Sequence, residues 1–366
     1  MNRILFFICM LCALLMATPL MADTLTVTDM SGRSVTVPRD PKRIICLGPG
    51  TLRLIVYLRA LDNVVGVESL EKQHPRGRPY WLANPGFHDL PVCGPGGPAS
   101  INQKPDMEVI FKLDPELIFV TYMDGSLAEE VQSVLDIPVV VLSYGAFATF
   151  DPTVFDSLDL AGRILDRKQR AASVTQYILD AQSDLLARAK QSAAPERPEA
   201  YVGGIGYRGV QGLESTEQKY APFDWVLVDN IARDMDARQR THVFTSKETL
   251  LKLNPGTIFI DGGGLALAAR AYKKNPEIYN ALGAFARDRV YMLHPFNWYT
   301  TNIGTVLCDA YAVGKIMHQE PFADVDLSEK ADEIYTFLVG APVHEHMVKD
   351  YGPLGSKAPF IQENRR

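Results

Sequence analysis

Residues 151–194 read DPTVFDSLDLAGRILDRKQRAASVTQYILDAQSDLLARAKQSAA, and this stretch decides the fold. From Thr153 to Ala194 it holds no proline and one glycine, Gly162, a longer unbroken run than any other in the exported chain. Gly162 and the polar run Asp166-Arg167-Lys168 mark a pause. The pattern predicts a short helix and then a long one, from about Arg167 to Ser192. Ala171, Val174, Tyr177, Ile178, Ala181 and Leu185 repeat at the spacing of one buried helical stripe. At 1.5 Å per residue the long helix spans roughly 39 Å, about the width of a domain.

The flanks of this helix resemble each other. Before it stands EVIFKLDPELIFV (108–120) and after it ETLLKLNPGTIFI (248–260), at a constant offset of 140 residues. Each reads as a short helix, an Asp/Asn-Pro turn and a buried apolar strand. A second strand follows each, Ile137–Ser143 and Arg289–His294. Strands alternating with helices imply parallel sheets covered on both faces. The expected fold class is α/β: two Rossmann-like lobes with parallel sheets, bridged by one long helix. The expected limits are 23–153 for the N-terminal lobe, 154–196 for the bridging helix region and 197–341 for the C-terminal lobe. The tail, 342–366, is polar and expected to pack loosely.

The N-terminus reads as a secretory signal. Arg3 precedes an apolar core from Ile4 to Met16, too short to span a bilayer, and Leu20-Met21-Ala22 offers a cleavage site. Residues 1–22 are therefore expected to be removed, leaving a soluble exported protein. The formal charge of −6 becomes −7, and a mildly acidic chain without a basic run is a poor candidate for nucleic acid. Three cysteines remain, Cys46, Cys93 and Cys308; their apolar settings suggest buried free thiols.

Other segments fill in the order. Asp23–Val37 alternates around Met30-Ser31-Gly32-Arg33, a β-hairpin signal. Ile44–Leu47 is a buried strand, Gly48-Pro49-Gly50-Thr51 opens a helix from Leu52 to Leu61, and Val64–Val67 is the next strand. Residues 71–105 are rich in proline and glycine, and a loop of that length is often functional.

Several of these segments together resemble the periplasmic binding proteins that serve ABC importers of ferric siderophores, haem and cobalamin. They are Thr26–Asp29, Gly32-Arg33, Val35–Pro38, Pro41–Ile45, Val64–Val67, Leu113–Ile118, Ala161–Leu165, Phe223–Ala232 and Tyr335–Gly340. The resemblance covers nearly all the exported chain. It implies a solute held between two lobes, a periplasmic location, a monomer, and an inner-membrane permease as partner. It also implies that Glu108 and Glu248, which match across the repeat, meet arginines on that permease. The turn Gly48–Arg53 departs from the Ser/Thr- and Glu-containing turn of many relatives, so contacts from the first lobe do not carry over.

In open parallel sheets ligands bind beyond the carboxyl ends of the strands. That points to the loops 48–51, 121–125, 207–210, 261–264 and 295–302. The last, PFNWYTTN, is the strongest: Asn297, Trp298 and Tyr299 offer stacking and polar contacts, and the Tyr299 phenol is a possible Fe(III) ligand. Tyr207 and Arg208 come second, an arginine suiting an anionic chelate. Arg78, Tyr80 and Trp81 in the inserted loop come third. His242 and His294 read as structural, His344-Glu345-His346 lacks helical ligand spacing, and no zinc pattern is present. The leading expectation is a solute-binding protein for an iron(III) chelate of siderophore type, with no cofactor of its own. Cobalamin, haem or a nickel chelate are alternative cargoes. A periplasmic hydrolase of chelates is the alternative class, though no Gly-x-Ser-x-Gly or His-Glu-x-x-His motif supports it.

Overall fold

The alternation near the start folds as β1 (Thr24–Thr28) and β2 (Ser34–Pro38), paired antiparallel. The buried Asp29 fixes their turn. Its carboxylate accepts from the backbone of Ser31 and Arg33, from the Arg33 guanidinium, and from the Val141 N–H of the neighbouring sheet. This computed structural model describes residues 23–73, 76–147, 149–192, 196–207, 209–235 and 242–363. The expected signal segment lies outside them.

Two four-stranded parallel sheets carry the lobes. In the first, β3 (Ile44–Leu47), β4 (Val64–Gly66), β5 (Leu117–Thr121) and β6 (Val139–Leu142) lie in the order β4-β3-β5-β6. In the second, β7 (Glu199–Gly203), β9 (Asp229–Asn230), β11 (Ile258–Asp261) and β12 (Val290–Leu293) lie in the order β9-β7-β11-β12. Read from the same edge, each lobe runs second, first, third, fourth strand. A small antiparallel pair, β8 (Ser215–Glu217) with β10 (His242–Phe244), is added to the second lobe.

The sequence repeat has a physical basis. Helices Met107–Leu113 and Lys247–Leu253 are capped alike, by Asp106 accepting from Val109 N and Ser246 accepting from Thr249 N. Both end on a left-handed residue, Asp114 (φ 47°) or Asn254 (φ 45°), before turning into β5 or β11. Asp and Asn tolerate that conformation better than other side chains, which explains the shared Asp/Asn-Pro turn.

The stretch 151–194 forms helices Thr153–Ile164 and Lys168–Lys190. The break falls at Asp166 (φ 53°) rather than at Gly162. Gly162 lies inside the first helix, where a Cβ would sit 2.7 Å from Ala171 Cβ, so its role is close helix crossing. The long helix buries Ala171, Val174, Ile178 and Leu185 of the expected stripe, with Tyr177 and Ala181 half-buried against the core and Ala189 buried beyond it. Each large aliphatic buried this way contributes about 1.5–3 kcal/mol. Polar ties fix its direction. Arg170 donates to the carbonyls of Tyr57 in the first lobe and Phe337 in the second, while Arg188 bridges Asp184 and Asp324.

Two expectations are corrected. The helix after Gly50 spans Thr51–Tyr57 and ends short of Leu61. The tail does not pack loosely: it forms helix His344–Tyr351, buries Met347, Leu354, Ala358 and Phe360, and bonds its Gly355, Ser356 and Ala358 backbone to β12. Its apolar residues, scattered among polar ones, cover the open edge of the second sheet.

Candidate functional site

The post-strand loops of both lobes face a common seam. Gly48–Thr51 follows β3, Thr121–Met123 follows β5, and Pro295–Asn302 follows β12. Thr51 and Thr121 knit the first two loops together: Thr51 Oγ1 donates to Leu47 O (2.6 Å) and Thr121 Oγ1 to Pro49 O (2.8 Å). The third loop comes from the other lobe and presses into them. Tyr122 Oη and Thr300 Oγ1 are 3.0 Å apart, and Thr301 Oγ1 donates to Thr149 O (2.8 Å).

At the centre of the seam is Arg53, fully buried on helix Thr51–Tyr57. Its guanidinium donates to the carbonyl oxygens of Thr301 (2.8 Å), Trp298 (3.0 Å) and Tyr299 (3.1 Å). It also lies over the rings of Tyr80 (4.9 Å) and Tyr144 (5.9 Å). Burial opposes the charge, yet Tyr144, Tyr80, Tyr57 and Glu71 around it hold its pKa above the ordinary arginine value. Among the described residues the partners of this cation are carbonyl dipoles, the Tyr144 hydroxyl (3.5 Å) and aromatic faces, with no carboxylate in hydrogen-bonding contact.

Tyr299 crosses the seam in the opposite direction. Its hydroxyl donates to Glu68 Oε2 (2.6 Å) and accepts from Gly97 N (3.0 Å), while Glu68 Oε1 accepts from Gly48 N (3.1 Å). Burial and the nearby Glu68 charge push the phenol far above its usual range, which disfavours a phenolate ready to ligate Fe(III). Burial likewise raises Glu68 to about 7, against the hydrogen bonds from Tyr299 and Gly48 that lower it. A cavity of about 260 Å³ opens beside this contact, lined by Gly48, Glu68, Cys93, Gly96, Thr121 and Met123 among others.

The other sequence-predicted residues separate. Trp298 keeps about a third of its surface exposed and stands over Arg78, and Asn297 is half-buried at the loop's mouth. Arg78 and Tyr80 do not face solvent or the cleft: both are buried in the inserted loop, ion-paired and hydrogen-bonded to Glu71. A buried carboxylate demands such partners, and this requirement removes them from the expected ligand contacts. Trp81 packs half-buried against the main core. Tyr207 is exposed and stacks on His242 (4.3 Å), whose Nε2 lies 2.7 Å from Ser215 Oγ. Arg208 lies outside the described residues.

His294 is buried; its Nε2–H donates to Gly352 O, and burial lowers its pKa to about 4. Among the described residues no group of three His, Cys, Asp or Glu side chains could hold a metal ion, and Cys46, Cys93 and Cys308 are buried free thiols. Glu108 and Glu248 are exposed on their matched helices. Sequence reasoning missed Arg53, Glu68 and Glu71. Arg53 did leave a signal, as the single charge inside the apolar run Leu52–Leu58 directly after a glycine-rich post-strand turn.

A family model described as periplasmic binding protein matches residues 44–296. The chain belongs to the periplasmic binding protein family. As such it is the solute-binding component of an ABC transporter and not an enzyme. The chain is 24% identical to the molybdate-binding protein MolA of Haemophilus influenzae over 337 residues, 84% of this chain and 89% of that one. It is 22% identical to YvrC of Bacillus subtilis, an uncharacterised ABC transporter substrate-binding lipoprotein, over 74% of this chain and 78% of that one. Among solved structures, a periplasmic solute binding protein from Veillonella parvula superposes with a TM-score of 0.71 at 17% identity, covering 90% of this chain and 97% of its own. Haemophilus influenzae MolA bound to molybdate superposes at 0.67 and 20% identity, covering 86% and 98%. These superpositions establish the two-lobed fold for this binding protein.

Proposed function

We propose that this binding protein captures an anionic, oxygen-rich solute between its lobes and delivers it to the permease of an inner-membrane ABC importer. Arg53 carries this reading. A guanidinium buried at the lobe seam, hydrogen-bonded to carbonyl oxygens and with Glu71 nearby but outside hydrogen-bonding contact, projects a positive field into a low-dielectric cleft, where a charge acts more strongly than in water. The segment 1–22 exports the chain to the periplasm, and a monomer docks through Glu108 on one lobe and Glu248 on the other.

Two solutes share the required chemistry. An iron(III) chelate is the first, favoured by exposed aromatics on post-strand loops and β10: Trp298, Tyr207, Phe147 and Phe244. A compact metal oxyanion is the second, favoured by the similarity to a molybdate-binding relative and by the sealing of Tyr299 and Tyr80, which leaves less stacking surface.

Native mass spectrometry and an absorption spectrum on protein purified from its own periplasm test the reading. A ferric chelate gives a bound mass with a visible charge-transfer band. A molybdate-type ion gives a small added mass and calorimetric competition between sodium molybdate and sodium tungstate. A Soret or corrin spectrum moves the cargo to haem or cobalamin. A protein that binds no anion of any kind overturns the proposal.

A further inference from the structure

The loop Trp298–Thr301 is gripped from both sides by residues outside the motifs that first identified the cleft. Arg53 holds three of its carbonyl oxygens from the first lobe. Glu68 and Gly97 N, also from the first lobe, hold the phenol that the loop sends across. The loop meets this grip in an unfavourable backbone shape, with Tyr299 at φ 52° and Thr300 at φ 62°. Left-handed φ is uncommon for side-chain-bearing residues and a clear outlier for a β-branched one, so the surroundings must impose it. The grip is also tightly fitted. A Cβ on Gly50 would lie 2.6 Å from Thr300 Cγ2, and one on Gly96 would lie 2.8 Å from Glu68 Cβ.

We infer that Arg53 and Glu68 are positioning residues for solute capture, forming a two-way clasp that seats loop Trp298–Thr301 in the first lobe and holds the cleft closed before solute arrives. Solute exchange then requires the clasp to open, and Tyr299 serves as its bolt instead of as a ligand contact. This inference rests on the proposed reading that solute enters between the lobes. It is tested without any solute, so that failure of the clasp and failure of the cargo assignment remain distinct.

The experiment is double electron–electron resonance on ligand-free protein spin-labelled at Ser133→Cys in the first lobe and Lys273→Cys in the second. Both positions are exposed, and the three native thiols are buried and escape labelling. The unmodified clasp should give one short interlobe distance population. Tyr299→Phe, which deletes one hydroxyl and keeps the ring, should add a longer population and raise the open-to-closed ratio about tenfold, the loss expected for one buried hydrogen bond. Arg53→Met should raise it further, and Arg53→Lys should restore part of the closed population. A merely structural role would lower thermal stability with the distance distribution unchanged. That outcome in Tyr299→Phe, or an open distribution in the unsubstituted protein, overturns the inference. Should Arg53→Met fail to fold, Tyr299→Phe and Glu68→Ala still decide.

Discussion

Tyr122 and Thr300 stand on different lobes, their hydroxyls 3.0 Å apart, and both residues have positive φ, 55° and 62°. Two strained residues that meet across a seam are each explained by the other. Neither lobe alone has a reason to hold its loop in that shape. Strain of about 1–3 kcal/mol per residue is characteristic of sites whose geometry is over-determined by their surroundings. Here the surroundings are Arg53, Tyr144 and the Gly48–Thr51 turn.

The strain and the hydrogen bond at Thr300 can be separated by substitution. Thr300→Val keeps the β-branch at positive φ and loses the hydroxyl. It should destabilise the protein by about 1–2 kcal/mol. Thr300→Asn tolerates left-handed backbone and retains a polar partner for Tyr122, so it should lie within about 0.5 kcal/mol of the original. Urea denaturation of the three proteins gives the comparison. Equal destabilisation by Val and Asn would show that backbone strain at this position is not the governing factor.

Gly50 is the second point of control. It has φ 80°, and a Cβ there would lie 2.6 Å from Thr300 Cγ2 and 2.7 Å from Tyr144 Cε2. Gly50→Ala therefore meets a backbone penalty and a clash at once, and the least costly relief is to push the Trp298–Thr301 loop outward. The expected result is a loss of about 1–3 kcal/mol, with faster hydrogen exchange confined to residues 297–302 and 144–150. Uniform loss of protection over the whole first lobe would argue for misfolding of β3 instead.

How much of this was legible beforehand depends on the range of the interaction. The bridging helix and the paired lobes follow from local periodicity and from a repeat whose turn chemistry, Asp114 and Asn254, is written in adjacent residues. The clasp is not local. Arg53 and Thr301 are 248 positions apart, and Glu68 and Tyr299 are 231 apart. Aromatic character in residues 295–302 drew attention to the loop. It could not distinguish a tyrosine that faces solute from one that bolts two lobes. Arg78 and Tyr80 illustrate the same limit, because their partner Glu71 becomes a buried acid only once the insertion folds.

Glu68 predicts a pH dependence with a definite sign. Its carboxyl rises from 4.5 to about 7, chiefly through burial, with Glu71 adding to the rise and Tyr299 and Gly48 opposing it. An acid whose folded pKa exceeds its unfolded value favours the folded state while protonated. That contribution is complete below about 4.5 and is lost as pH rises through about 7. Cys46, Cys93 and Tyr299, the other titratable groups around it, are all held neutral by burial in this range. Glu68→Gln should therefore gain stability relative to the unsubstituted protein between pH 5 and pH 8. His294 acts in the opposite sense: lowered to about 4 by burial, its contribution is present above 6.5 and lost as pH falls toward 4. Comparing Glu68→Gln with the parent at each pH cancels that background. A stability difference that stays flat from pH 5 to pH 8 would contradict the assignment.

The matched acids Glu108 and Glu248 provide the test of delivery. Both are exposed, and both sit in the first turn of a capped seven-residue helix. The Lys112 ammonium pairs with Glu108 at 2.6 Å, but an exposed pair of this kind contributes at most about 1 kcal/mol and yields readily to a stronger partner. Reversing both charges, as Glu108→Lys with Glu248→Lys, should abolish solute uptake in cells under the proposed docking through these acids. Solute affinity and thermal stability of the purified protein should stay within about twofold and about 0.5 kcal/mol of the parent, as for surface changes away from packed features. The single substitutions should each reduce uptake partially, since the other lobe keeps its anchor. Normal uptake by the double variant would falsify docking through these two residues and move the importer contact to another face of the lobes.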